Sequence, residues 1–114
     1  MVVEEKKTSN NETKLISLLQ IAFKANKLVY GYDSVLRKLL KKKVYLLILA
    51  KDLSESNYQS MTKHALNMKI DVIHWGNKDF YFQILGRYSG ILGILDQSFK
   101  NGILTHIKVL EMEG

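Results

Sequence analysis

The amino-acid sequence predicts an α/β fold, a three-layer α/β/α sandwich with a mixed four- to five-stranded sheet. Three observations carry that expectation. Apolar residues at helical spacing alternate with short apolar runs along most of the chain. The run 44–50 has no polar interruption, as a central strand covered on both faces requires. Cap and turn residues stand where one pattern gives way to the next. Alternation of this kind puts helices on both faces of the sheet, with right-handed crossovers wherever consecutive strands are parallel.

Residues 1–10 lack periodicity and are expected to form a flexible N-terminus, leaving 11–114 as one domain. Ser9 and Glu12 have capping-box spacing, and Leu15, Leu18, Leu19 and Ala22 then share one helical face, so a first helix runs to about Asn26. Leu28, Val29 and Tyr30 form a short strand that Gly31 ends. From Asp33 to about Lys42, Val35, Leu36, Leu39 and Leu40 make an apolar stripe, and Arg37, Lys38, Lys41 and Lys42 fill the other positions of a second helix. The core strand 44–50 follows. Ser56 and Gln59 offer a cap for a third helix, with Met61, Ala65 and Met68 at helical spacing towards Lys69.

Residues 70–75 are expected to form a strand ending at Trp75. Asn77 is a suitable N-cap for a helix reaching about Leu85, and Gly86 stands at the position that ends one. Residues 91–95 are the next strand, where Gly90 and Gly93 leave room for close backbone approach. Asp96 can cap one helical turn ending at Asn101 and Gly102, after which 103–110 is expected to be a last strand at an edge of the sheet.

Composition narrows the function. With 114 residues, 46% hydrophobic and 25% charged, the chain has the balance of one folded domain. The absence of cysteine excludes disulfides, thiolate nucleophiles and cysteine metal sites. The run 44–50 is far short of the roughly 18 residues that span a bilayer, and Met1 to Asn11 has no apolar signal core, so no membrane association and a cytoplasmic location are expected. A net charge of +6 suits a polyanionic partner, or else a solvated basic surface. Five of the 17 basic residues, Arg37, Lys38, Lys41, Lys42 and Lys43, fall within seven positions and either track phosphates or form the exposed face of the second helix.

The order of these elements, together with several local motifs, resembles the kink-turn-binding ribosomal-protein family, the L-seven-Ae and L-thirty-e group, and especially its small bacterial YlxQ-type members. The resemblance covers about residues 15–102. It rests on Leu18-Leu19, Lys27-Leu28-Val29-Tyr30-Gly31, Val35-Leu36-Arg37, the run from Leu46 to Asp52, Asn77-Lys78-Asp79, Gly86-Arg87 and Gly93-Ile94-Leu95-Asp96, in that order and at fitting separations. It implies a non-catalytic RNA-binding protein, without cofactor, that recognises a kink-turn or similar structured RNA, with ribosomal RNA and ribonucleoproteins as its setting. In the family a Gly-x-Asn-Glu-x-x-Lys loop reads the sheared G·A pairs. Here Gly31 matches, Arg37 stands for the Lys, Asp33 for the Asn and Ser34 for the Glu, so the base-reading pair is altered. The Leu-Gly that usually follows the start of the later helix is replaced by Tyr81-Phe82, which implies different packing there.

The resemblance further implies that Lys78 touches phosphate and that Ser89, Gly90, Ile91 and Leu92 pack against an extruded nucleotide. With Gly31, Tyr32, Asp33, Ser34, Arg37 and Lys38, these are the candidate RNA-binding residues. Tyr30, Tyr32 and Tyr88 are candidates for base stacking or for ordinary packing, and Trp75 is expected in the core. His64, His74 and His106 have no metal-ligand spacing, Asp52 and Asp96 look like cap or turn formers at strand ends, and no nucleotide-binding glycine motif occurs. An α/β protein-interaction module that has lost RNA binding is the alternative, motivated by the altered loop.

Overall fold

A computed structural model describes residues 10–113. The expectations for Ser9 and for the N-terminal tail before residue 10 therefore lie outside the described residues. Nine elements follow in order: α1 (Asn10–Lys24), β1 (Leu28–Tyr30), α2 (Tyr32–Leu40), β2 (Leu46–Leu49), α3 (Glu55–Met68), β3 (Asp71–His74), α4 (Lys78–Leu85), β4 (Ile91–Ile94) and α5 (Gln97–Glu113).

The sheet has the order β1-β4-β2-β3, with β4 antiparallel to both β1 and β2 and β3 parallel to β2. Alternate residues of its inner strands point to opposite faces, as the pleat demands. Leu46, Ile48, Leu92 and Ile94 are buried with Leu15 and Leu19 of α1, Tyr81 and Ile84 of α4, and Ile103 and Ile107 of α5. On the other face Leu47, Leu49 and Ile91 are buried with Val35 of α2 and with Met61 and Ala65 of α3. The result is the three-layer sandwich the alternation predicts, with α1, α4 and α5 on one side and α2 and α3 on the other. The uninterrupted apolar run that includes β2 is explained by burial on both faces.

Two local expectations are corrected. The cap of α3 is Ser54, whose hydroxyl accepts from the Asn57 N–H at 3.2 Å; Ser56 is the second residue of the helix and is exposed. The chain after Asp96 forms one long helix, with no last edge strand at 103–110. Asp96 does cap it, accepting from the Phe99 N–H at 3.0 Å, but Asn101-Gly102 does not end it. Ile103 and Ile107, one turn apart, are buried, whereas Thr105 between them is exposed. A Cβ on Gly102 would come within 3.1 Å of Leu18 Cδ2, so this glycine marks where α5 lies close against α1. The sheet accordingly has four strands.

The remaining caps are as expected. Asn77 Oδ1 accepts from the Phe80 N–H at 2.8 Å, and α4 ends at Gly86 in the left-handed conformation. Trp75 is half-buried against the first core, with Phe80 edge-on to it at 4.7 Å.

Candidate nucleic-acid interface

Strand direction decides where the loops collect. In register, Tyr30 pairs with Leu92, Leu49 with Ile91, and Leu49 with His74, so the carboxyl ends of β1, β2 and β3 meet the amino end of β4 at one edge of the sandwich. Backbone bonds continue beyond the strands there. The Gly31 N–H donates to the Ile91 carbonyl at 3.0 Å, and the Ala50 N–H donates to the Gly90 carbonyl at 2.9 Å. In open α/β sheets such a crevice beyond the carboxyl ends of the strands is where ligands usually bind.

A cleft of about 300 Å³ lies at this edge, lined by Gly31, Tyr32, Leu53, Asn57, Lys78, Tyr88, Ser89, Gly90 and Ile91. It joins four segments far apart in sequence: the start of α2, the turn from β2 into α3, the start of α4 and the loop into β4. Gly31 caps α2 with φ +90 and gives it no side-chain acceptor. The first bond that closes the helix runs from the Val35 N–H to the Gly31 carbonyl, so the first turn presents its positive end near the cleft. A Cβ at Gly31 would meet nothing within 4 Å, so the backbone conformation, and not crowding, favours glycine there.

At α4 the situation differs. The Lys78 N–H donates to Asp52 Oδ1 at 3.0 Å and the Phe80 N–H to Asn77, so these amides are already occupied and Lys78 offers its ammonium alone. Asp52 and Asp96 both serve as helix-start acceptors, in keeping with their cap-like positions. Gly90 sets the shape of the wall. A Cβ on it would stand 2.9 Å from Leu53 Cδ1 and 3.3 Å from Lys78 Cε, so its bare backbone lets the lysine stem and the leucine pack across it. Ser89 holds the bend by a hydroxyl bond with Ile91, whose N–H lies 3.2 Å from Oγ.

Tyr81 anchors α4 beneath the site. It is fully buried, its hydroxyl donates to the Trp75 carbonyl, and burial first, then the Asp52 charge, raise its pKa well above the ordinary 10.0. Tyr81 fills the position where the resemblance leads one to expect Leu.

Of the candidate residues, Gly31, Tyr32, Lys78, Ser89, Gly90 and Ile91 share the cleft. Asp33 and Arg37 are exposed one helical turn apart on α2, and Lys38 is half-buried. None of these three lines the cleft, and two further candidates lie elsewhere. Ser34 lines a separate depression with Phe23, Leu28, Val29 and Tyr30, and Leu92 is completely buried in the core and touches no surface. Tyr32 packs against the second core and its hydroxyl bonds Ser60 Oγ at 2.6 Å, while Tyr30 meets Phe23 edge-on at 5.9 Å. Tyr88 is 67% exposed. Leu53 and Asn57 were not anticipated. The only signal for them is topological, because any loop that leaves β2 must emerge beside the loops leaving β1 and β3.

Among the described residues no helix is long and apolar enough to cross a membrane, and no group of three His, Cys, Asp or Glu is placed to hold a metal ion.

The model of the ribosomal protein L7Ae/L30e/S12e/Gadd45 family matches residues 13–96. Among solved structures, a protein of unknown function from Bacillus halodurans superposes with a TM-score of 0.78 at 24% identity, over 83% of this chain and 97% of that one. The Giardia lamblia 15.5kD RNA binding protein superposes with a TM-score of 0.71 at 13% identity, over 93% of this chain and 92% of its own. These two likenesses establish the fold. No curated protein matches the chain in sequence.

Proposed function

The chain belongs to the ribosomal protein L7Ae/L30e/S12e/Gadd45 family, and from that premise we propose that it is a non-catalytic protein that binds a kink-turn or similar structured RNA at the cleft. It works in the cytoplasm, on the ribosome or within another ribonucleoprotein. The observation that carries this reading is the convergence of Gly31, Lys78 and the Ser89–Ile91 bend on one cleft.

The chemistry of the cleft suits RNA that departs from a regular helix. The uncapped start of α2 and the Lys78 ammonium favour phosphate oxygens. Half-buried Leu53 offers apolar surface to an extruded base, and the cleft of about 300 Å³ has room for one. Arg37, exposed on the same helix as Asp33, can give two parallel donors to a guanine edge, and the Asp33 carboxylate can accept from base N–H groups. Ser34 takes no part in this reading, since it lies on the depression beside β1. The Giardia lamblia protein of the same fold is an RNA binding protein, in agreement with the proposal.

The position of Ser34 also favours the second reading, an interaction module without RNA affinity. Binding of a kink-turn RNA and of a plain duplex of equal length, titrated across salt, separates the two. The expected result is tighter binding of the kink-turn at physiological salt, with both affinities falling as salt rises. Equal affinities mean phosphate attraction only, and salt-insensitive absence of binding supports the interaction module.

A further inference from the structure

We propose that Phe82 and Tyr88 form a preassembled aromatic platform that takes an unpaired nucleobase at the rim of the cleft. The two rings stack on each other with centroids 4.5 Å apart and planes 30° apart. They remain 41% and 67% exposed and stand outside both apolar cores.

The local sequence builds this arrangement. Phe82 follows Lys78 by four residues, so the two share a face of α4. The helix then stops at Gly86, whose N–H donates to the Phe82 carbonyl at 2.7 Å, and the left-handed turn carries Tyr88 back over the Phe82 ring. Tyr88 also lines the cleft, so the platform is continuous with it. Arg87, between the turn and Tyr88, is exposed and adds a second cation to that of Lys78. Exposed rings beside cations, joined to a phosphate-suited cleft, match the combination by which proteins hold unpaired RNA, with stacking for the base and charge for the backbone. A stack of this kind accepts any base, because every base has a π-face.

This inference rests on the reading that the cleft holds RNA, and it adds a contact that does not depend on the purine-reading residues of α2. It is distinct from a purely structural role, in which the ring pair only fastens the 86–90 bend. The test uses a kink-turn RNA in which each unpaired nucleotide in turn is replaced by an abasic one, with the full chain and its Tyr88→Ala and Phe82→Leu variants. Both rings are exposed, so the variants keep the fold, which thermal melting checks. The wild-type protein should lose roughly tenfold in affinity when one particular base is removed. Tyr88→Ala should lose the same factor on the intact RNA and nothing further on that abasic RNA, and Phe82→Leu should lose a smaller factor at the same position. A 2-aminopurine placed there should be quenched by the wild type and not by Tyr88→Ala.

The platform is overturned if Tyr88→Ala weakens intact and abasic RNAs by equal factors, as a structural fastener would. It is also overturned if Tyr88→Ala leaves all affinities unchanged while the wild type still prefers the kink-turn, the result expected if the rings face a protein partner. Failure of the wild type to prefer the kink-turn overturns the RNA reading and the platform together.

Discussion

Gly90 shows how much of the site depends on an atom that is missing. Its backbone faces Leu53 and Lys78 closely enough that a methyl group would push on the ends of both side chains. Because those ends are flexible, Gly90→Ala should cost only about 1 kcal/mol of stability, the low end of the range for overpacking. The displaced lysine and leucine should nevertheless weaken RNA binding several-fold. Parallel melting curves and RNA titrations check this, and a loss of binding that merely follows unfolding would count against it. At this scale the sequence was legible at several positions where a residue acts on its immediate neighbours. Asn77 and Asp96 cap as their positions indicate, and Gly86 ends α4. It was silent wherever a side chain's direction matters. Nothing local distinguishes Ser34, which faces another depression, from Asp33 beside it, or the buried Leu92 from Ile91, which still borders the cleft.

At the scale of elements, α3 and α5 expose what pattern alone leaves ambiguous. Ser54 and Ser56 both precede or open an apolar stripe, and the one chosen is set by where the chain leaving β2 can turn. Ser54→Ala should therefore cost about 0.5–2 kcal/mol, whereas Ser56→Ala should stay within about 0.5 kcal/mol, as chemical denaturation can resolve. In α5 the β-branched residues Ile103, Thr105, Ile107 and Val109 imitate the alternation of a strand, and Asn101-Gly102 imitates a turn. Packing against α1 decides for the helix, which buries Ile103 and Ile107 together and turns Thr105 to solvent. Ile103→Ala or Ile107→Ala should each cost about 2–5 kcal/mol, and Thr105→Ala much less. Comparable losses at 103, 105 and 107 would indicate alternation and contradict the helix. Strands β2 and β4 were legible because burial on both faces leaves short apolar runs, and β1 matches its expected residues Leu28, Val29 and Tyr30.

For the whole molecule, the order of elements predicts the layers, but only strand direction shows that four distant loops share one end. That is why Leu53 and Asn57 escaped a residue-by-residue reading although they line the same cleft as Gly31 and Lys78. Helix α2 links the two ends of the sandwich. It starts at the cleft and runs nine residues, about 13 Å, before Lys41, Lys42 and Lys43 follow on the far side. Arg37 stands one turn after Asp33, whereas Lys43 lies beyond the end of the helix. The central claim, that RNA is read at the cleft end and merely attracted elsewhere, makes these two cations behave differently. The most direct measurement is the affinity of Arg37→Ala and Lys43→Ala for a kink-turn RNA and for a plain duplex. Arg37→Ala should lose about 1–3 kcal/mol on the kink-turn and erode its preference over duplex, while Lys43→Ala should leave that preference intact. Equal losses on both RNAs for Arg37→Ala would make it a phosphate contact and contradict base reading, and no effect on either would place the RNA elsewhere on the surface.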